Sequence, residues 1–243
     1  KDTVAAVQQA NPKHAILVRS INRGLNAKDY DALTACGFKP MFARNVLLFP
    51  HKPIEQFPRK KRRQILRDEG LVEKLGLRWE APVTLTGDQA ERVADLYNQL
   101  YLEKYSENNP RFTPLFHAEC SSRNILHYRL LMDGGSIIGV VGMKVVEGVS
   151  TTPILGYDHH HPHAKVLYRM LTAKITRTCS DHDFHRHASS GANAFKKLRG
   201  GVTNEEFTMV KTSHLSWWRR LNWGIIRFIA QKVGRPLTHK FET

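Results

Sequence analysis

The order of periodic segments after residue 84 constrains the fold more than any other feature of this sequence. A helix-type pattern follows Thr86, and two strand-type runs come next, joined by the turn Asp133-Gly134-Gly135. Asp-Gly between apolar runs is a strong hairpin signal. A third strand ends at Asp158, and helix, strand, helix and strand patterns follow. This order predicts an α/β (α+β) fold with a mixed, mostly antiparallel sheet flanked by helices.

The residues before this region predict a smaller αβ unit. Strand-type runs lie at 15–18 and 42–49, a short helix at 26–36 and a basic helix at about 59–75. A boundary near Pro82–Thr86 divides the chain into an N-terminal αβ unit, residues 1–83, and a larger domain, residues 84–243. The N-terminal unit looks incomplete alone.

The net charge and the cysteine content indicate which kinds of partner and which structural classes suit this chain. The 243 residues carry 37 Lys and Arg against 22 Asp and Glu, a net charge of +15. Such a charge favours a polyanionic partner: nucleic acid, a phosphorylated cofactor or an anionic membrane. Three scattered cysteines fit a reducing cytoplasm and argue against a disulfide scaffold or a zinc knuckle. The chain also lacks the roughly 18 consecutive apolar residues of a membrane span.

The segment that ends the third predicted strand carries candidate catalytic groups. Tyr157 and Asp158 end the strand, and His159 begins a turn with four histidines in five positions. Asp158 or a histidine could act as a general base or its orienting partner, since histidine is well poised for proton transfer near neutral pH. Tyr157 and Ser190 are further candidate catalytic residues, because their hydroxyl groups can donate hydrogen bonds to a reacting group. The alternatives are a metal site, which so tight a turn disfavours, and a solvated turn that caps the next helix.

Two segments offer cations to a phosphorylated donor. The helix predicted over 166–178 begins near this turn, with Lys165 and Arg169 in its first turns. The second segment runs from a small-residue turn to a basic, glycine-flanked loop, which suits phosphate. Its candidate donor-binding residues are Ser189, Lys196, Lys197, Arg199 and Gly200. The alternatives are an ordinary amphipathic helix and a basic surface helix with a glycine C-cap.

The C-terminal tail combines three tryptophans with arginines. Leu221, Ile225, Ile229 and Val233 recur every four residues, and basic residues surround them. This pattern suits an anionic membrane surface, stacking on RNA, or a helix docked on the sheet. With the basic helix near residue 60, the tail would form a broad positive surface.

Several segments resemble the FemAB-like branch of the GNAT N-acyltransferase superfamily, which includes peptidoglycan-bridge aminoacyltransferases. They are LYNQLYLEKYSENNPRFT at 96–113, GSIIGVVGMK at 135–144, PILGYD at 153–158, SSGANAFKKLRGGVTNEEFTMVKTSHL at 189–215 and, upstream, the stretch from Ile16 to Phe49. The resemblance covers most of the chain and implies a GNAT-like fold, with a truncated GNAT-like half at the N-terminus.

The resemblance implies transfer of an acyl group from an activated donor to an amine acceptor, in a cleft where the strand ending at Asp158 separates from the strand at 184–188. GNAT enzymes commonly grip coenzyme A with a Q/R-x-x-G-x-G/A loop. Here residues 158–165 contain no glycine, so that loop is absent, as it is in the FemAB-like branch. Acyl-CoA is the simplest donor, and aminoacyl-tRNA, as Fem-type relatives use, is the alternative. No tightly bound cofactor or metal is expected.

A third hypothesis is a non-catalytic scaffold that binds nucleic acid or a membrane surface. The expected location is the cytoplasm, or the inner face of the membrane through the C-terminal helix.

Overall fold

A computed structural model describes residues 2–242, without the side chains of residues 239, 241 and 242. These residues form two compact units. The terminal unit comprises the chain up to Leu48, Ala188–Lys197 and the chain from Gly201 onward; the central unit comprises Phe49–His187 with Leu198–Gly200. The boundary predicted between residues 83 and 84 lies inside the central unit. The two compact units therefore do not coincide with the two segments, 1–83 and 84–243, that the sequence patterns indicate.

Helices and strands alternate along the chain much as predicted. The helices are α1 (Asp2–Ala10), α2 (Ala27–Ala35), α3 (Arg59–Lys74), α4 (Gly87–Asn98), α5 (Pro114–Ser122), α6 (Ala164–Asp181), α7 (Asn193–Lys197), α8 (Trp217–Ile229) and α9 (Arg235–Glu242). The strands are β1 (Ile16–Asn22), β2 (Lys39–Phe49), β3 (Arg78–Glu80), β4 (His127–Asp133), β5 (Ser136–Val146), β6 (Val149–Tyr157), β7 (His185–His187) and β8 (Val202–Lys211). In the part of the chain described here, no helix is both long and apolar enough to span a membrane.

The terminal unit is built on three antiparallel strands with β8 between β1 and β2. Their apolar residues, with Tyr30 and Phe38, form a small aromatic core. Gly37, at φ +83°, ends α2 as the sequence predicts. Asn26, whose residue type favours an N-cap position, does not cap this helix with its side chain; its Oδ1 accepts a hydrogen bond from the Asn22 N–H instead.

The central unit contains five strands in the order β7-β6-β5-β4-β3. The predicted hairpin is confirmed, with Asp133 opposite Ser136 at the turn. Neighbouring strands are antiparallel except for β6 and β7, which the crossover helix α6 connects. The predicted fold class is therefore confirmed: a mixed, mostly antiparallel sheet with helices.

Helices cover both faces of this central sheet. Because side chains alternate along a strand, Leu155 packs toward α6 residues such as Leu167, whereas Ile154 packs toward α4 residues such as Val93. The two buried clusters on opposite faces hold β6 at the centre of the unit.

The helix α4 begins with the capping signal and ends in an irregular segment. Thr86 and Gln89 form a reciprocal capping box, in which Thr86 Oγ1 accepts from the Gln89 N–H at 3.3 Å. The sequence predicts one regular helix to about residue 108. The structure instead has a π-helix over Gln99–Tyr105, a feature that is frequent at functional sites.

A buried histidine links stability to pH. The Nδ1 atom of His117 lies 2.9 Å from the Tyr128 hydroxyl, and burial lowers the pKa of His117 to about 4. The unfolded chain binds this proton near pH 6.5. We therefore expect the free energy of unfolding to be highest above pH 6.5 and to fall between pH 6.5 and 4, by up to about 3 kcal/mol.

Urea unfolding at neutral and acidic pH measures this dependence. The His117→Gln variant keeps a hydrogen-bonding group but cannot titrate, so it should lose this part of the dependence. An identical slope in the variant and the wild type would show that His117 does not cause it.

Candidate active site

Strand β6 separates from β7 after a short pairing. Residues 149–151 pair with 185–187, where β7 ends, and β6 continues alone on that side to Tyr157. The helix α6 begins at Ala164, just beyond the end of β6. Ligands of α/β sheets bind beyond the carboxyl ends of strands. The end of β6 is therefore the natural place to examine for a site.

A glycine brings β6 against the backbone of α4. A Cβ atom on Gly156 would lie 2.5 Å from the carbonyl carbon and oxygen of Leu96 and 2.7 Å from the nitrogen of Tyr97. Only glycine permits so close an approach. This contact places the π-helical segment that follows α4 beside the residues that follow Gly156.

Two of the predicted catalytic residues meet at the end of β6. The ring of His159 packs edge-to-face on the ring of Tyr157, with centroids 4.7 Å apart. Lys104, from the π-helix, donates to the Tyr157 hydroxyl oxygen at 3.3 Å. Gln99, from the same segment, accepts from the His159 backbone N–H at 3.1 Å. The site thus combines a histidine, a phenol and an ammonium group, which we call the Tyr157 cluster.

The electrostatics of the Tyr157 cluster favour a neutral histidine. Burial, and then the positive charge of Lys104, lower the pKa of His159 below its usual range. Its Nε2 atom is buried and has no hydrogen-bond partner within residues 2–242. Burial also raises the pKa of the nearby Tyr101 to about 12. At neutral pH this site therefore offers an unprotonated imidazole, which can accept a proton from a reacting group.

Asp158 points to the other side of the strand. Its Oδ2 accepts from Arg92 Nη2 at 2.6 Å, and its Oδ1 accepts from the His160 N–H at 2.8 Å. Burial alone would raise the pKa of Asp158, but these two bonds and the charge of Arg92 outweigh it and lower the pKa. A carboxylate stabilised in this way is a weak base. Its geometry fits the alternative of an orienting residue, because it holds the turn that carries His159.

Arg92 and Asp158 also line an open pocket of about 670 Å³ on the α4 side of the sheet. His161 lines the same pocket and lies 3.0 Å from Asp133 Oδ2. The lining of the pocket thus contains the Arg92–Asp158 ion pair and a His161–Asp133 contact.

The histidine turn uses its own backbone donors. Four N–H groups donate within the chain: His159 to Gln99 Oε1 at 3.1 Å, His160 to Asp158 Oδ1 at 2.8 Å, His163 to His161 Nδ1 at 3.2 Å, and Ala164 to the His161 carbonyl at 2.8 Å. Among the side chains that the structure describes, no group of three or more from His, Cys, Asp and Glu is arranged to hold a metal ion.

The predicted phosphate-binding segment is divided between the units. Ser189, Ser190, Lys196 and Lys197 belong to the terminal unit. There Lys196 is buried, and its Nζ donates to the carbonyl oxygens of Ala188 at 2.6 Å and Ser190 at 2.9 Å. The catalytic role of Ser190 and the donor-binding roles of the other three residues stay predictions.

The remaining predicted donor-binding residues belong to the central unit, where Asp68 holds two of them. The fully buried Asp68 accepts from Arg169 Nε at 2.8 Å and from Arg199 Nε at 2.6 Å. Gly200 has φ +108°, and a Cβ there would lie 2.3 Å from the Phe57 ring. Arg169, Arg199 and Gly200 thus have structural contacts that account for them. Their donor-binding roles stay predictions, as does that of Lys165, which is exposed in the first turn of α6.

Because Asp68 is buried and binds two arginines, we expect its substitution to lower the free energy of unfolding substantially. Asp68→Asn keeps the shape but leaves two guanidinium groups without their anion, and such a loss costs about 3–5 kcal/mol. The matched control is Glu69→Gln on the same helix, because Glu69 pairs with the partly exposed Arg177 at 2.8 Å. We expect the control to lose about 1 kcal/mol or less.

Urea unfolding of both variants at neutral pH measures the difference. Equal stability losses would contradict a structural role for the two arginines at Asp68.

The sequence analysis missed Lys104, Gln99 and Arg92. All three lie on the helical stretch from Gly87 to Tyr105, and polar side chains on such a stretch are ordinarily solvent-facing. The one available signal was the row of Tyr97, Tyr101 and Tyr105 on the same stretch, a spacing that is more often typical of a core than of a binding face.

Comparisons with known proteins locate the fold but give no close relative. No protein-family profile matches the sequence, and no curated protein matches it. Among solved structures, L-PGS from Bacillus licheniformis matches with a TM-score of 0.64 and 13% identity, over 94% of this chain and 76% of that one.

Two further structures agree. The C-terminal domain (DUF2156) of a putative lysylphosphatidylglycerol synthetase from Agrobacterium fabrum gives a TM-score of 0.61 at 13% identity, over 87% of this chain and 72% of that one. FemX gives 0.62 at 11% identity, over 85% and 74%. At such identities the likeness concerns the fold alone. The chain therefore shares the fold of FemX and of these two other structures, in agreement with its sequence resemblance to the FemAB-like branch.

Proposed function

We propose that this chain is an acyl-group transferase that passes an aminoacyl group from an aminoacyl-tRNA to an amine. The observation that carries the proposal is the Tyr157 cluster at the end of β6. There the ring of His159, whose buried Nε2 has no hydrogen-bond partner among the described side chains, packs on the ring of Tyr157. Acyl transfer needs a base, a donor to the oxyanion and a proton for the leaving group. The cluster supplies all three.

The chemistry follows from the positions of these groups. The amine nitrogen attacks the ester carbonyl carbon and gives its proton to the neutral His159. The developing oxyanion accepts a hydrogen bond from the Tyr157 hydroxyl, whose oxygen already accepts from Lys104. The carbon–oxygen bond to the ribose then breaks, and the protonated His159 returns the proton to the leaving oxygen. An amide and a free tRNA result.

The choice of aminoacyl-tRNA over acyl-CoA has two supports. The N–H groups of His159, His160, His163 and Ala164 donate to atoms of the chain itself, whereas the N–H groups of a GNAT loop would bind the pyrophosphate of coenzyme A. The charge of +15 exceeds what a small cofactor needs and suits a long polyanion.

Substitution within the cluster tests the chemical roles. Tyr157→Phe and His159→Gln should each lower kcat about a hundredfold or more, since each removes a group that acts in the transition state. The matched control is His160→Gln, an exposed neighbour in the same turn, which should retain near-normal kcat. The measurement is transfer of labelled aminoacyl groups from tRNA to a panel of amines, with labelled acetyl-CoA in parallel.

The assay separates the competing functions. If acetyl-CoA alone serves as the donor, and the Tyr157 and His159 variants lose this transfer, the proposed donor is wrong but the proposed catalytic site is supported. Full activity in both variants would exclude the site. No transfer from either donor would favour a non-catalytic scaffold.

The pH dependence of kcat tests the electrostatic role of Lys104. A neutral His159 predicts that kcat is constant near pH 7 and falls on acidification, with a midpoint below the ordinary histidine value of about 6.5. Because Lys104 lowers the pKa of His159, Lys104→Met should move this midpoint upward. Because Glu103 raises the same pKa, Glu103→Gln should move it downward. Shifts in the same direction would contradict the assignment of the acid limb to His159.

A further inference from the structure

The helix α8 exposes a continuous apolar face. None of its residues is buried. The six large apolar side chains on one side are each between 48% and 62% exposed: Trp217, Trp218, Leu221, Ile225, Phe228 and Ile229. We call these six residues the outer face. Exposed apolar residues scattered singly are normal, but a contiguous set of this size marks an interaction surface.

The opposite, less apolar side of this helical segment packs on the terminal unit. At about 100° per residue, Trp223 and Arg227 lie opposite the outer face, and both are only partly exposed. They line a cavity of about 220 Å³ with Val210 of β8. Farther along, Gln231 donates to the Pro40 carbonyl at 3.2 Å. A helix that completes a core turns its most apolar face inward. Here the most apolar face points outward.

The charge of the segment indicates what covers this face. No Asp or Glu occurs between Phe207 and Phe241, whereas the stretch carries many basic residues: Lys211, Arg219, Arg220, Arg227, Lys232, Arg235 and Lys240. Of these, Arg235 pairs with Glu205 of β8, with Nη2 and Oε2 2.9 Å apart. A second copy docking here would bring two positive segments together, which opposes association. An anionic surface is attracted instead.

The chemistry of the outer face favours lipid over RNA. Its centre is Leu221 and Ile225, and its six members include no cation or hydrogen-bond donor other than the two indole N–H groups. An RNA-binding surface places cations among its stacking rings, so that phosphates and bases are held together. Trp217 and Trp218, which stack with ring centroids 3.8 Å apart, are residues that favour the membrane–water interface.

We propose that the outer face of α8 docks on an anionic lipid bilayer, with the helix lying in the plane of the headgroups and the apolar side chains inserted among them. Amphipathic helices rich in tryptophan and arginine bind membranes in this way. The orientation along the surface agrees with the lack of a spanning helix in the described part of the chain. The proposal concerns the terminal unit and is independent of the donor used in the central unit.

Vesicle co-sedimentation of the full chain tests the proposal. We expect binding to phosphatidylcholine vesicles that contain phosphatidylglycerol, little binding to phosphatidylcholine alone, and weaker binding at high salt. The double variant Ile225→Glu/Phe228→Glu should lose about tenfold or more in partitioning. The matched control is Val83→Glu/Leu115→Glu, at two exposed apolar positions of the central unit, 93% and 69% exposed. It adds the same charge and should bind vesicles almost like the wild type.

Tryptophan fluorescence gives a second readout, because insertion of Trp217 and Trp218 shifts the emission to the blue. Circular dichroism verifies that both double variants stay folded. Equal vesicle binding by the outer-face variant and the wild type would overturn the proposal, as would equal binding to neutral and anionic vesicles. If the wild-type chain does not bind vesicles and the outer-face variant loses binding to tRNA, the outer face binds RNA instead of lipid.

Discussion

The close approach of β6 to α4 at Gly156 is the constraint on which the candidate site depends. With no side chain at this position, the strand lies against the helix backbone at Leu96 and Tyr97. The next turn of helix then stands beside the last residues of the strand. Gln99 reaches the His159 backbone and Lys104 reaches the Tyr157 hydroxyl because of this contact. Any larger residue at 156 would push the strand and the helix apart and break the contacts of Gln99 and Lys104 with the end of β6.

The π-helix that follows α4 turns functional side chains toward the end of β6. A regular helix would continue the phase of α4, whereas the wider turn of Gln99–Tyr105 changes which side chains face the strand. The segment contributes a hydrogen-bond acceptor, a charge and aromatic rings to one place. On the other face of β6, the ion pair of Arg92 with Asp158 fixes the start of the histidine turn. His159 is thus held by its backbone from one side and by the neighbouring residue from the other.

Sequence patterns predicted the parts of the fold that depend on local order. The Asp133-Gly134-Gly135 turn predicted a hairpin, which the structure has, and the third predicted strand corresponds to β6, which ends at Tyr157. Tyr157 and His159 were accessible to sequence reasoning because they are two residues apart and end a strand. Their contact needs no knowledge of the rest of the chain.

The rest depends on partners that are far away in sequence. Asp68 lies 101 positions from Arg169 and 131 from Arg199 in the sequence. The sequence therefore presented the two arginines as free cations that could bind a donor, because nothing near them in the sequence indicates that they pair with a buried carboxylate. Lys104 was missed because a π-helix breaks the periodicity from which its direction would be read. The apolar repeat in the tail was visible, but only the structure shows that this face is turned outward.

The most direct test of the account is a crystal structure of the full chain with a non-hydrolysable aminoacyl-tRNA analogue, in which an amide joins the amino acid to the terminal ribose. The account predicts that the amide carbonyl lies within about 3 Å of the Tyr157 hydroxyl, with the His159 Nε2 facing the side from which an amine would attack. An analogue bound instead in the pocket beside Arg92, with the Tyr157 cluster empty, would contradict it.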